Sequence, residues 1–136
     1  MLTRLAIIAL LALTACDDAD TDHDTIRVTA DMIVDGDTVR IADGPNIRLT
    51  GEGNDPFDTP ETYKPGCTEE AQLGAQASAL LRSLMPGEAQ IIRRGGGGFG
   101  RDLGVLYGND GEDVKVALLA AGLARESMNA DWCGGS

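Results

Sequence analysis

From Ile26 onward the apolar residues alternate over short stretches broken by turn-forming residues, and this pattern restricts the chain to architectures built on a half-buried sheet. Ile26, Val28, Ala30, Met32 and Val34 fall on one face of a first strand, with mostly polar residues between them. Asp35-Gly36-Asp37 turns the chain, Val39 and Ile41 alternate along a second strand, and Asp43-Gly44-Pro45-Asn46 turns it again into Ile47-Arg48-Leu49. Three strands joined by turns this short make an antiparallel meander.

The stretch from Gly51 to Gly66 is rich in Gly, Pro, Asp and Asn and reads as a long loop, a place where function tends to reside. Thr68 is expected to cap a helix with Glu69 and Glu70 in its first turn and an apolar stripe of Leu73, Ala77, Leu80, Leu81 and Leu84. Pro86-Gly87 ends it. Two further strands, Ala89 to Arg94 and Leu103 to Tyr107, flank a glycine run, and Asn109-Asp110-Gly111 supplies a tight turn. Asp113 caps a last helix whose Val114, Ala117, Leu118 and Ala121 are expected to face inward, with Gly122 as its stop. Five strands and two to three helices in this order predict a mainly β domain over 25–136, a five-stranded Greek-key barrel of the OB type. A chain of 136 residues holds one such core.

The first residues set the compartment. Arg4 precedes an apolar run from Leu5 to Leu13 that is too short to span a bilayer, and Leu13-Thr14-Ala15-Cys16 follows it directly. Small residues ahead of a cysteine resemble a lipobox, so residues 1–15 are expected to be a lipoprotein signal peptide cleaved before a lipidated Cys16. The domain would then face the periplasm or the cell surface, anchored to the membrane by its lipid. Residues 16–24 carry Asp17, Asp18, Asp20, Asp22 and Asp24 with little apolar content, the composition of a solvated tether. The Asp-x-Asp-x-Asp spacing there lacks the glycine and glutamate of an EF-hand loop, and His23 is expected to be exposed.

With Cys16 assigned to lipidation, Cys67 and Cys133 remain as an even pair, and an oxidising compartment predicts a disulfide between them. Free thiols or a zinc site are the alternatives, but two cysteines and one distant histidine do not make a tetrahedral set. Charge sets a second bound: 11 basic against 22 acidic residues give a net charge of −11. There is no lysine excess to release counterions, so any grip on nucleic acid must be local, through residues such as Arg48, Arg93, Arg94 and Arg101.

The loops carry the side chains that phosphodiester hydrolysis requires. Asp35, Asp37, Asp58 and Glu61 are hard oxygen donors, suited to calcium or magnesium rather than zinc. Arg48 lies between Ile47 and Leu49, so its side chain points opposite to theirs, and Arg101 follows Gly100; each offers a planar fork to a phosphate.

Four segments in order, Val34-Asp35-Gly36-Asp37-Thr38-Val39, Ile47-Arg48-Leu49-Thr50-Gly51, Phe57-Asp58-Thr59-Pro60-Glu61-Thr62 and Gly98-Phe99-Gly100-Arg101, resemble the successive signatures of the thermonuclease (staphylococcal-nuclease-like) family, and Ala121-Gly122-Leu123-Ala124 is similar to its final helix. The resemblance covers nearly all of Ile26 to Arg125. It implies a calcium-dependent nuclease acting on DNA and RNA, expected to work as a monomer. By position, Asp37, Asp58 and the Thr59 carbonyl would be calcium ligands with Asp35 close by. Glu61 would orient or deprotonate the attacking water, and Arg48 and Arg101 would hold the phosphate.

Two features depart from the family pattern. Glu52-Gly53-Asn54-Asp55-Pro56 is extra between Gly51 and Phe57; it either loops outward or displaces Asp58, and Asp55 offers itself as a substitute ligand. Gly95 to Gly98 replaces the basic and aromatic residues usual before Arg101, which implies a weaker hold on substrate. The second reading is therefore a binding or structural module at the envelope that keeps the barrel without efficient catalysis.

Overall fold

The computed structural model describes residues 25–85, 89–96 and 101–134, with side chains over 26–85 and 101–134. The segment 1–24, with Cys16 and His23, lies outside the described residues, as do Pro86-Gly87 and 97–100. Among the described residues six strands form one mixed sheet: β1 (Thr25–Val28), β2 (Ile33–Asp35), β3 (Thr38–Val39), β4 (Ile47–Thr50), β5 (Ala89–Gly96) and β6 (Asp102–Tyr107). Two α-helices accompany it, α1 (Thr68–Ser83) and α2 (Val114–Ala120).

The expected first strand is broken in two. Ala30–Met32 forms a single 3-10 turn, closed by the Met32 amide on the Thr29 carbonyl at 3.0 Å. Apolar alternation runs through that turn, so the break has no sequence signal. The turn also shifts the phase: Ile33 rather than Val34 enters the core, with Val28 on the other side of the break. The two halves part company in the sheet, whose order is β1-β5-β6-β4-β3-β2. β1 pairs antiparallel with β5, while β2, β3 and β4 form the expected antiparallel meander. β4 and β6 run parallel, with Arg48 opposite Leu103.

The fully buried core comprises Val28, Val39, Ile47, Leu49 and Leu106 of the sheet, Phe57 of the long loop, Leu81 of α1 and Leu118 of α2. Burying aliphatic side chains of this size stabilises by about 1.5–3 kcal/mol each. In α1 the stripe splits: Ala77 and Leu81 are buried, while Leu73, Leu80 and Leu84 pack against the core edge. Its N-cap is Cys67 rather than Thr68, since Cys67 is extended and its sulfur accepts the Glu70 amide at 3.4 Å. Asp113 caps α2 by accepting the Lys115 amide at 2.9 Å, and Gly122 stops it at φ +71°. Ala121 is exposed, because it is the C-cap and no longer on the inward face.

Candidate functional site

The connection from β2 to β3 is so tight that its glycine leaves no room for a side chain. A Cβ on Gly36 would stand 2.9 Å from Cβ of Ala77 in α1 and 2.9 Å from Cβ of Thr59. The turn is thus pressed between a helix and the long loop. Asp35 accepts the Asp37 amide through Oδ1 at 3.1 Å, an Asx-type closure that fixes both carboxylates. Asp37 is only 2% exposed; its Oδ1 accepts the Thr38 hydroxyl at 3.0 Å and its Oδ2 the Thr59 amide at 3.2 Å.

Arg48 follows from strand alternation: Ile47 and Leu49 are fully buried, so its side chain leaves by the opposite face. Its Nη2 meets three acceptors from two loops: Asp37 Oδ2 at 3.2 Å, Asp58 Oδ1 at 3.3 Å and the Phe57 carbonyl at 3.0 Å. Phe57 is an apolar anchor for the loop, and the next residue, Asp58, exchanges both backbone hydrogen bonds with Arg125, each at 2.9 Å. Asp58 Oδ2 accepts two more, from the Trp132 indole at 3.0 Å and the Ala130 amide at 3.1 Å.

Glu61 sits at the exposed rim. Its backbone is seated on α1 at Gly74, where a Cβ would come within 2.7 Å of the Glu61 carbonyl oxygen. Partial burial raises its carboxyl above the usual range, and the charges of Asp37 and Asp58 raise it further, while Arg48 opposes them. Asp37 is pushed up to about 7, by burial first and then by Asp35, with Arg48 pulling the other way. Asp37, Asp58 and Glu61 thus share the field of one guanidinium, with Asp35 beside Asp37.

The inserted residues loop outward. Glu52–Asn54 makes a 3-10 turn, across whose base the Gly51 amide donates to the Asp55 carbonyl at 2.7 Å, with Gly53 and Asn54 at positive φ. Glu52 is tied down by two contacts, its amide donating to Asp113 at 2.9 Å and its carboxylate accepting from the Tyr107 hydroxyl at 3.0 Å. Asp55 is exposed, in a separate depression with Lys115 and Glu126, and does not join the acidic cluster. Asp58 stays against Arg48 despite the extra residues.

Arg101 is half-buried and enters directly before β6, where the Asp102 amide donates to the Asn46 carbonyl at 3.0 Å. Leu103, two residues on, stands beside Arg48 in the parallel register, and the two line a cavity of about 340 Å³ with Pro56, Phe57, Asn54 and Met128. Arg101 itself is outside the hydrogen-bonded cluster around Asp37. Sequence reasoning missed Trp132 and Ala130 as partners of Asp58. The one available signal was Cys133, whose pairing with Cys67 carries the chain end back to this loop.

The donors are hard oxygens in charge excess, with one carboxyl buried and raised, which is the chemistry a calcium or magnesium ion satisfies. As the side chains stand, no group of three or more His, Cys, Asp or Glu among the described residues is disposed to hold a metal ion, and the Arg48 guanidinium takes the place between Asp37 and Asp58.

The model of the staphylococcal nuclease homologue family matches residues 48–132, well over half of the chain. The chain belongs to this family. Among curated proteins no sequence matches it. The matched stretch contains Arg48, Asp58, Thr59, Glu61 and Arg101; Asp35 and Asp37 precede it and are joined to it by their contacts with Arg48 and Thr59. Membership in a nuclease-type family fits the mainly β architecture with two α-helices and gives the cluster a chemical context.

Proposed function

We propose that this staphylococcal nuclease homologue is a calcium-dependent hydrolase of phosphodiester bonds in DNA or RNA, working outside the cytoplasm. The observation that carries the reading is the junction of Arg48 with Asp37 and Asp58, which brings two loops of a nuclease-type chain to one point beside Glu61. Asp37, Asp58 and the Thr59 carbonyl, with Asp35 adjacent, are the groups that would hold calcium. When bound, the ion supplies Lewis-acid polarisation of a phosphate oxygen and offsets the carboxylate excess.

The chain's own residues do the rest. Glu61 accepts the proton of the attacking water as the water oxygen forms its bond to phosphorus; on the other side the bond to the leaving oxygen breaks. A carboxyl raised by burial and by neighbouring carboxylates is a better base than an ordinary one. Arg48 uses only Nη2 in the contacts described, so Nε and Nη1 are left for a non-bridging phosphate oxygen. Arg101, directly before β6, is the second cation of the proposal and would bind the same phosphate in its transition state.

We read the sheet as an OB-type Greek-key barrel: its two edges, β1 and β2, are consecutive in the chain and joined by one 3-10 turn, which supports closure. Export, cleavage before Cys16 and lipid anchoring are part of the proposal, supported by the disulfide between Cys67 and Cys133, a bond that persists in oxidising compartments. The acidic balance and the glycine run favour the second reading, an envelope module without efficient catalysis. Cleavage of plasmid and single-stranded DNA by the purified protein separates them. Calcium-dependent cleavage is expected, abolished by EDTA and lowered about 10²–10⁴-fold in Glu61→Gln. Cleavage indifferent to both overturns the assignment.

A further inference from the structure

We infer that Trp132 is a positioning residue for Asp58, and that the Cys67–Cys133 disulfide holds it in that role. The inference rests on the reading of Asp58 as a metal ligand. An aspartate on a loop can turn about its side-chain bonds, and a ligand that turns is a poor one. Here Asp58 is held from both ends. Oδ1 faces Arg48, while Oδ2 is taken by the Trp132 indole at 3.0 Å and the Ala130 amide at 3.1 Å. The two donors on Oδ2 leave Oδ1 as the oxygen directed toward Arg48, which also meets Asp37.

Trp132 is itself fixed. It is 7% exposed, its ring lies under the Arg125 guanidinium at 4.2 Å, and Arg125 is the residue whose backbone pairs with Asp58. The next residue, Cys133, is bonded to Cys67, the N-cap of α1. That helix backs the site through Ala77 against the Asp35–Asp37 turn and Gly74 against Glu61. One covalent bond therefore joins the segment that orients Asp58 to the element that seats the other carboxylates. An indole N–H needing only burial is satisfied by any carbonyl; this one is directed at a carboxylate already bonded to an arginine. Donors placed behind a ligand in this way typically govern 10–100-fold in affinity or activity.

The test is calorimetric titration of calcium into the full mature protein, as wild type, Trp132→Phe, Cys133→Ser, Asp58→Asn and the double variant Asp58→Asn with Trp132→Phe, with thermal midpoints and DNA-cleavage kinetics measured beside it. Trp132→Phe keeps a ring for Arg125 and loses only the N–H. It is expected to bind calcium about 10–100-fold more weakly and to lose kcat with little change in KM, and Cys133→Ser is expected to weaken binding in the same direction. In the Asp58→Asn background Trp132→Phe should cost nothing further, which a purely structural role would not produce. Wild-type affinity in both Trp132→Phe and Cys133→Ser, or a Trp132→Phe loss that persists undiminished with Asp58→Asn, overturns the inference and leaves the nuclease reading standing. A wild-type protein that binds no calcium overturns that reading and the inference with it.

Discussion

The acidic turn at Asp35–Asp37 and the arginine at position 101 are held by very different amounts of structure. Asp37 is buried, bonded to Thr38 and Thr59 and paired with Arg48, on a turn that has no space for a Cβ. Arg101 is half-buried and stands directly before a strand, outside the hydrogen-bonded cluster of the described residues. The carboxylate side is therefore rigid before any ligand arrives, and its cost is like-charge repulsion. On the arginine side the cost falls on binding, since ordering a long side chain loses on the order of 1.5–2 kcal/mol of rotamer freedom. Arg48 is the cation that holds the carboxylate side, and substituting it is the most severe way to break the comparison. Arg48→Gln leaves Asp37 and Asp58 buried without their cation and should destabilise the metal-free fold by about 3–5 kcal/mol. Urea denaturation in EDTA measures this, and a loss under 1 kcal/mol would show that the cluster is not held by its arginine.

Arg101→Ala probes the opposite side. Because Arg101 has no hydrogen bond or ion pair with the cluster among the described residues, its removal should leave stability within about 0.5 kcal/mol of wild type. Cleavage should fall about 10²-fold, the typical cost of losing one donor to transition-state charge. The comparison is sharpened if the rate falls while the melting curve stays put. It fails if the melting curve moves and the rate does not.

The difference also explains what the sequence disclosed. Alternation alone placed Arg48 opposite Ile47 and Leu49, and Asp-Gly-Asp announced a turn, because both are local rules acting over two or three residues. The 3-10 break at Ala30–Met32 was hidden, since apolar residues continue through it at a spacing that fits a strand. The outward path of Glu52–Asn54 depends on anchors at Tyr107 and Asp113, more than fifty residues away, which no local pattern encodes. Trp132 was illegible for the same reason. Its indole meets Asp58 across 74 positions, and only the cysteine beside it hinted that the chain end returns.

The smallest expected effect tests the electrostatic cost of the rigid side. Burial and Asp35 raise the Asp37 carboxyl from 3.8 to about 7, so the folded protein holds a proton there that the unfolded chain has already released. The stability this proton contributes is fully present below the ordinary carboxylate value and is lost as pH rises through about 7. Metal-free protein should therefore weaken by about 1 kcal/mol between pH 6 and pH 8 from Asp37 alone. Asp37→Asn carries no such proton, and its stability should vary less over that window. With calcium present the slope of the wild type should flatten or reverse, because the ion competes with the proton for the same carboxylate and holds it better as pH rises. Denaturation midpoints from pH 5 to 8.5, in EDTA and in calcium, read both effects. If the EDTA curves of wild type and Asp37→Asn run parallel, Asp37 is an ordinary surface-like acid, and the contrast between a strained carboxylate floor and a loosely held arginine loses its basis.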